Sequence, residues 1–254
     1  MYKGELSINL FIFAGVWRPI NLSLFIMKFF YNILTIFIII LFYFFDISLC
    51  IYLILHSLNN IDEFAESLCW FLAAIVTCVK MTNFILRRND IIKLINILNA
   101  HCLKTRDNIE KIMQDKCDFT ARRNTKYFFI ITSATVLAMT CGGLAKGKDN
   151  ISLPLKASLP YDYKNQKLAF SLTYISQSLW LYLSGLVTVA SETFVMTMLI
   201  QICSQLDIIC YRLKNLPYLY KNNNNNNKRS ILFNELEEAN IIKDCIVHHN
   251  YIYM

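Results

Sequence analysis

Charged residues are scarce in this chain, and so are the two residues that most often interrupt helices. Asp, Glu, Lys and Arg make up 17% of the 254 residues, while 56% are apolar. Soluble proteins carry about 25% charged residues. Only six glycines and four prolines are present. The composition excludes an ordinary soluble domain, and it favours helices over a transmembrane β-barrel, which needs alternating segments of about ten residues.

The chain also lacks the sequence motifs of catalysis and cofactor binding. There is no GxGxxG, P-loop, HExxH or GxSxG sequence. Nine cysteines are scattered without a CxxC pair, so neither a disulfide framework nor a zinc site is expected. The adjacent His248 and His249 cannot share one helix face, which favours a solvated or interhelical polar role over a metal site. We predict no enzyme, no catalytic residue, no metal and no cofactor.

Long apolar runs are what the chain has instead. A helix needs roughly 20 residues to cross a hydrocarbon core about 30 Å thick. Four runs reach or approach this length, namely Phe29–Leu55, Phe64–Leu86, Tyr127–Leu144 and Leu168–Ile202. They predict an all-α membrane protein with transmembrane helices at 29–55, 64–86, 127–144 and 168–204.

Basic residues are distributed unevenly between the segments that flank these spans. Segments 1–28, 87–126 and 205–254 hold 19 Lys and Arg, whereas segments 56–63 and 145–167 hold five. Because Lys and Arg accumulate in cytoplasmic segments, the split predicts a cytoplasmic N-terminus and an extracellular loop at 145–167. The same topology accounts for the net charge of +7 without a nucleic-acid partner.

Four ionisable residues lie within or beside the spans, and these are Asp46, Glu66, Lys80 and Glu192. Such residues are candidates for function by default. The rise of a helix places each near one end of its span, where water or lipid headgroups can reach it. We therefore predict interfacial positions for them rather than a proton or ion relay.

Apolar periodicity predicts that spans two and three extend as helices beyond the membrane, into segment 87–126. The residues that share one helical face there are Ile91, Ile92, Ile95, Leu98, Cys102 and Leu103. The extracellular loop holds two prolines in LPLKASLPYDY (Leu153–Tyr163), which exclude a single helix. This loop is predicted to cap the outer face.

The C-terminal segment combines a linker with another helix. Asn222–Asn227 is a run of six asparagines, which predicts a flexible linker. The pattern that follows is amphipathic and would lead to a fifth span; it consists of Leu232, Leu236, Ala239, Ile242 and Ile246. This helix is still running at Met254, so we expect the sequence to be a fragment of a longer protein.

Four motifs, taken in order, resemble the insect odorant receptor family. The N-terminal segment contains GVWRP at Gly15–Pro19, and LPLKASLPYDY at Leu153–Tyr163 precedes the fourth span. The fourth helix ends with MLIQICSQLDIICYRL at Met198–Leu213, and CIVHHNYI follows at Cys245–Ile252. The resemblance covers nearly the whole chain and agrees with the topology derived from charge.

The resemblance implies the biology of that family. Its members look like seven-helix, odorant-gated cation channels of the plasma membrane, and they form heterotetramers with a shared co-receptor subunit. The odorant pocket is implied to lie among spans two, three, four and six in the outer half of the membrane, and the pore to be lined by the last span. Because only four spans are present, the 254 residues are expected not to conduct ions.

An apolar odorant needs a cavity with aromatic walls and a few polar groups. The outer halves of spans two to four offer such side chains, and Tyr174, Ser178 and Tyr182 are spaced to lie on one helix face. Contact with lipid or packing between helices is the alternative role for each of them. The predicted ligand-binding residues are Trp70, Phe71, Met139, Tyr174, Gln177, Ser178 and Tyr182.

Three other classes compete with an odorant receptor. A gustatory receptor shares the architecture and is the nearest alternative. A small-molecule transporter fragment would show inverted repeats and helices broken by Gly or Pro at the midplane, and neither is present in the sequence. A G-protein-coupled receptor would have an extracellular N-terminus, contrary to the distribution of Lys and Arg.

Overall fold

The computed structural model of the chain describes residues 5–19, 25–56, 60–98, 105–145, 153–161, 167–222 and 239–250. Within these ranges the regular elements are helices, which confirms the predicted all-α fold. In chain order they are α1 (Glu5–Phe13), α2 (Phe25–His56), α3 (Ile61–Leu86), α4 (Arg88–Leu98), α5 (Asn108–Ala145), α6 (Lys167–Asn222) and α7 (239–250).

Three stretches of described helix are long and apolar enough to cross a membrane. They are Phe25–Leu55, Ile61–Leu86 and Lys167–Asn215, and they contain the first, second and fourth predicted spans. The third predicted span lies in α5. When only the described residues are considered, α5 is not one of these three stretches.

The chain folds as two compact units, each built from separate stretches of sequence. The span unit comprises Leu6–Arg88 and Thr125–Thr193. The polar unit comprises Met1–Glu5, Asn89–Asn124 and Phe194–Met254. Helices α5 and α6 each contribute residues to both.

Aromatic rings fill the interior of the span unit. The ring centroids of Phe42 and Phe45 on α2 lie 6.1 and 5.7 Å from that of Trp180 on α6. All three side chains are buried. Tilted ring pairs of this kind add about 0.5–1.5 kcal/mol beyond the burial of area. The apolar faces of α2 and α6 therefore hold each other through a small set of large side chains.

The GVWRP motif follows α1 and lies inside the span unit. Gly15 has a φ of 71°, which glycine adopts without steric cost. A Cβ added there would clash with Ile38 Cδ1 on α2. The carbonyl of Gly15 accepts a 2.8 Å hydrogen bond from the Thr35 hydroxyl, also on α2. The glycine thus permits both the turn and the close approach of α2.

Further contacts fix the N-terminal segment in the span unit. The Tyr31 hydroxyl on α2 donates to the carbonyl of Trp17 at 2.9 Å. The guanidinium of Arg88 lies 5.5 Å from the centroid of the Trp17 ring. Phe11 stacks on Phe84 of α3, with ring centroids 4.3 Å apart. These contacts explain why an aromatic-rich motif stands ahead of the first span.

The predicted helical extension of the third span is continuous, since α5 runs unbroken from Asn108, whereas that of the second span is interrupted. α3 ends at Leu86, and Arg87 leaves helical geometry with φ −90° and ψ 16° while its N–H still bonds to the Asn83 carbonyl. A separate helix, α4, begins at Arg88. Apolar periodicity does not register such a break, because the stripe resumes on α4. The described members of that stripe, Ile91, Ile92, Ile95 and Leu98, are half-buried, while Cys102 and Leu103 lie outside the described residues.

Several other predicted features also fall outside the described residues. They include most of the asparagine run, the parts of segment 145–167 at 146–152 and 162–166, and the positions Leu232 and Leu236. The rest of the predicted amphipathic helix lies in α7.

Candidate ligand-binding cavity

A cavity of about 430 Å³ opens in the span unit between three helices and a loop. Trp70 of α3, Met139 of α5 and Leu49 of α2 supply its large apolar surfaces. Residues Leu153–Lys156 form its roof. The remaining lining residues are Glu66, Ser67, Ala138 and Gly142.

The roof is attached to the helices by its backbone. Gln177 of α6 is fully buried and bonds to both backbone groups of Leu155, accepting from its N–H at 3.2 Å and donating to its carbonyl at 3.3 Å. Ser48 of α2 binds Ser158: its hydroxyl donates to the Ser158 carbonyl at 2.8 Å, and its backbone carbonyl accepts from the Ser158 N–H at 3.3 Å. Two helices therefore hold the loop at positions three residues apart.

Three charged side chains form ion pairs at the rim of the cavity. The ammonium of Lys156 lies 3.2 Å from Glu66 Oε2 and 3.6 Å from Glu63 Oε1, both on α3. The hydrogen bond to Glu66 raises the pKa of Lys156. Further along the loop, the hydroxyls of Tyr161 and Thr173 lie 2.8 Å apart. The roof therefore contributes apolar side chains to the cavity and takes part in ion pairs on the exposed surface.

Three of the predicted ligand-binding residues are associated with this cavity. Trp70 and Met139 line it, and Gln177 holds its roof. Phe71 is half-buried on α3 but is not a lining residue. Since Trp70 and Phe71 are consecutive in α3, only one of them can face a given neighbour.

The other three predicted residues lie elsewhere. The Tyr174 hydroxyl donates to the Thr140 carbonyl of α5. The Ser178 hydroxyl donates to the Tyr174 carbonyl of its own helix at 2.8 Å. Tyr182 lines a second opening, about 360 Å³ in volume, which we call the lateral groove. Its other lining residues are Leu6, Asn9, Leu10, Phe13, Thr125, Lys126 and Phe129.

Two pairs of ionisable side chains connect helices of the span unit, and the first of these pairs is buried. The thiol of Cys78 on α3 donates to Asp46 Oδ2 on α2 at 2.8 Å, and both side chains are buried. The side chain of Asp46 is therefore packed between helices rather than exposed to water, which helix depth alone does not reveal; its position near the outer end of the span stays a prediction. Lys80 of α3 pairs with Glu192 of α6.

A network of buried polar side chains crosses the polar unit. The guanidinium of Arg212 on α6 binds Glu110 of α5 through two hydrogen bonds, of 2.7 and 2.8 Å. Burial alone raises the pKa of Glu110, but the bonds from Arg212 and from the Arg106 and Asp107 backbone hold it below its usual range. The pair is thus ionised on both sides, in the bidentate geometry that strengthens such contacts.

His248 of α7 completes this network. Its Nδ1 lies 3.3 Å from Arg212 Nη1, so it accepts a hydrogen bond, and its Nε2–H then donates to Gln205 Oε1 at 3.0 Å. Burial and the charge of Arg212 lower the pKa of His248 to about 4. The imidazole is therefore neutral at neutral pH, and of the two roles predicted for the histidine pair His248 takes the interhelical polar one.

Amides extend the network along the facing stripes of α5 and α6. Gln205 Nε2 donates to Gln114 Oε1 at 2.9 Å, and Gln114 Nε2 donates to Gln201 Oε1 at 2.6 Å. Gln201 Nε2 in turn donates to Asp118 Oδ1 at 2.5 Å. Sequence reasoning missed this network, although Glu110, Gln114 and Asp118 recur every four residues, as one helix face requires. No group of three or more possible metal ligands occurs in the part of the chain that the structure describes.

Comparison with known proteins points to one family. The sequence profile described as 7tm Odorant receptor matches residues 60–254. The structure of the insect olfactory receptor OR5 from Machilis hrabei aligns with a TM-score of 0.74 and 16% identity, covering 98% of this chain and 62% of the receptor. The same receptor in complex with eugenol aligns with a TM-score of 0.59 and 14% identity, covering 98% and 65%.

These matches differ in what they show. At 16% and 14% identity the two structures establish similarity of fold. The chain spans less than two thirds of the length of either. Comparison with curated protein sequences gave no match.

Proposed function

The chain belongs to the 7tm odorant receptor family, and we propose that its span unit binds a small apolar odorant in the cavity beneath Leu153–Lys156. The volume of about 430 Å³ lies within the range of small-molecule sites, roughly 300–1,000 Å³. Its walls combine a large aromatic ring with aliphatic and thioether side chains. The related receptor in complex with eugenol supports a ligand of this size and chemistry.

The lining residues suggest how such a ligand is held. The Trp70 ring offers a face for stacking, and Met139 can adapt its shape to irregular ligands. Ser67 provides a hydroxyl near the rim charges of Glu66 and Lys156. A neutral ligand with one polar group fits this distribution better than an ion. The apolar wall with a few polar groups is the observation that carries the proposal.

Ligand affinity in lipid nanodiscs tests this proposal, with eugenol as the probe. Trp70→Ala removes the ring face and is expected to weaken binding about tenfold, the factor that corresponds to roughly 1.4 kcal/mol. Met139→Trp fills the cavity and is expected to weaken binding further. Phe71→Ala is the matched control, because this neighbour does not line the cavity. Equal loss in Phe71→Ala and Trp70→Ala would place the ligand elsewhere.

We also propose that the protein assembles with a co-receptor subunit into an odorant-gated cation channel. Exposed apolar side chains in the polar unit support an assembly surface, because Ile112 and Phe119 of α5 are 67% and 65% exposed outside the three candidate spans. Their spacing puts both on one helix face. Co-purification with a co-receptor is expected to fall in the double variant Ile112→Ser/Phe119→Ser and to persist in Lys111→Ser, an exposed lysine on a different face of α5. Unchanged recovery of the double variant contradicts this surface.

A plasma-membrane location with a cytoplasmic N-terminus belongs to the same proposal. Two natural Asn-x-Ser sequences test it, at Asn21 in the predicted cytoplasmic segment and at Asn150 in the predicted extracellular loop. Glycosylation is expected at Asn150 and not at Asn21, with labelling of surface protein in intact cells. Modification of Asn21 would reverse the orientation.

A further inference from the structure

We propose that the lateral groove of the span unit is a binding site for an anionic membrane phospholipid. One acyl chain lies in the groove, and the phosphate pairs with Lys126. The site is separate from the cavity beneath Leu153–Lys156, since the two share no lining residue. The inference needs residence in a membrane but does not depend on odorant binding.

The groove has the walls that an acyl chain requires. Leu6, Leu10 and Phe13 of α1 line one side, while Phe129 of α5 and the ring of Tyr182 on α6 line the other. Its volume is about 360 Å³. Burying the methylene groups of an acyl chain in such surroundings is favourable relative to water. Relative to bulk lipid, the gain in free energy is smaller. Selectivity between lipids must therefore come from contacts with the headgroup.

The surface beside the groove is apolar as well. Ile130 and Ile131, which follow Phe129 on α5, are 59% and 61% exposed. Tyr127 and Phe128 are also more than half exposed. Exposed apolar side chains in this density need hydrocarbon or protein around them. The groove thus opens onto a surface suited to the bilayer, and a lipid can enter it sideways.

Lys126 supplies the charge that selects an anionic headgroup. It is exposed and directly precedes the apolar run of α5, so its ammonium lies at the level of lipid headgroups. None of the residues that line the groove is acidic. Within the described part of the chain Lys126 makes no ion pair, whereas Lys80, Lys93 and Lys156 each pair with a carboxylate. Its ammonium is therefore available to pair with a phosphate.

Two neutral polar groups add hydrogen-bonding capacity at the same site. The side-chain amide of Asn9 and the hydroxyl of Tyr182 both belong to the lining. Neither makes a hydrogen bond within the residues described. Phospholipid ester and phosphate oxygens accept hydrogen bonds from such donors.

Native mass spectrometry of the 254-residue chain, released from nanodiscs, tests the charge selection. Nanodiscs of equal phosphatidylserine and phosphatidylcholine are expected to give retained phosphatidylserine in excess. Lys126→Gln is expected to reduce that excess roughly fivefold, the factor expected for one basic residue at an anionic surface. Lys126→Arg keeps the charge and should retain most of it. Lys116→Gln is the matched control, an exposed lysine of the same helix that does not line the groove.

Photo-crosslinking tests the position of the acyl chain. Phosphatidylserine with a diazirine on its acyl chain is expected to label peptides that contain Leu6–Phe13 and Phe129. Equal retention of the two lipids, or equal loss in Lys126→Gln and Lys116→Gln, overturns the proposal. So does labelling confined to other helices. Displacement of the label by eugenol without dependence on Lys126 would make the groove an odorant site instead and would also overturn it.

Discussion

The span unit and the polar unit satisfy their buried polar groups in different ways. In the span unit, buried hydroxyls bond largely within their own helix, as Thr77, Thr173 and Thr193 do to the carbonyls four residues earlier, at 2.9, 2.7 and 2.7 Å. In the polar unit, charged and amide side chains bond between helices, as in the pair of Glu110 and Arg212.

The difference follows from the surroundings of each unit. A helix in lipid must satisfy its polar groups internally, and a hydroxyl can do so locally at small cost. Carboxylate, guanidinium and amide groups have longer side chains and more bonding positions, so they reach across to neighbouring helices. Stability of the polar unit should therefore depend on electrostatics, and that of the span unit on shape.

The largest expected effect comes from breaking the central ion pair of the polar unit. Arg212→Leu leaves the Glu110 carboxylate buried without its guanidinium partner and is expected to cost about 3–5 kcal/mol in unfolding free energy. Lys93→Gln removes a pair whose side chains are 75% and 72% exposed and should cost less than about 1 kcal/mol. Thermal unfolding in nanodiscs measures both. Adding Glu110→Leu to Arg212→Leu should recover most of the loss, and failure to do so contradicts the buried-charge explanation.

Acid should weaken the polar unit through His248. Its pKa is lowered to about 4 in the folded state from an ordinary 6.5, so the folded protein binds fewer protons between these values. Stability therefore rises with pH across this window and falls by about 3 kcal/mol on acidification from 6.5 to 4. The lowered pKa of Glu110 adds a further loss below its usual titration range. Hydrogen exchange of α7 as a function of pH measures the effect. His248→Gln should abolish the slope in this window, whereas His249→Gln should preserve it.

Two glycine substitutions test the dependence of the span unit on shape. Gly15→Ala places a Cβ at positive φ and against Ile38, with an expected cost of about 2 kcal/mol. Gly142→Ala lies in a helix and has no atom within 4 Å of the added Cβ, so it should stabilise by about 0.5–1 kcal/mol. Thermal unfolding compares them. Adding Ile38→Val, which removes Cδ1, should relieve the steric part of the Gly15→Ala cost and leave the backbone part.

Among the principal variants, the one with the smallest expected effect on stability changes the attachment of the cavity roof. Gln177→Leu removes both bonds to the Leu155 backbone and is expected to cost about 1–2 kcal/mol, because the released loop can bond to water. Protease cleavage within 153–161 should become faster. Ser178→Ala removes a bond within one helix and should leave cleavage unchanged. Equal cleavage of the two variants would show that Gln177 does not hold the roof.

Sequence patterns predicted the all-α fold and the family because these depend on long stretches of residues. Apolar length indicates a membrane helix whichever way its side chains point. The predicted site depended on the direction in which each individual side chain points. The length of an apolar stretch does not determine that direction. Trp70 and Met139 line the cavity, whereas Tyr174 and Ser178 hydrogen-bond to helix carbonyls and Tyr182 lines a different opening.

Contacts between residues distant in sequence were beyond prediction for the same reason. The i, i+4, i+8 spacing of Glu110, Gln114 and Asp118 is visible in the sequence. The residues to which they bond, however, lie 102, 87 and 83 positions away along the chain. Such a row of polar side chains can be buried only where a second helix presents polar side chains that bond to it. Nothing local in α5 identifies α6 as the element that carries it.

The polar seam of Gln201, Ser204, Gln205 and Arg212, in which the Ser204 hydroxyl donates to Gln114 Oε1 at 3.2 Å, also fixes the rotational register of α6. A helix turns by about 100° per residue, so a slip of one position would remove all four side chains from Glu110, Gln114, Asp118 and His248 at once. An apolar interface tolerates small rotations, because dispersion contacts have no direction. Here every intermediate angle leaves charged and amide groups unbonded. An insertion or deletion of one residue in α6 between Gln201 and Arg212 should therefore be far more damaging than any single substitution among the exposed residues of the same segment.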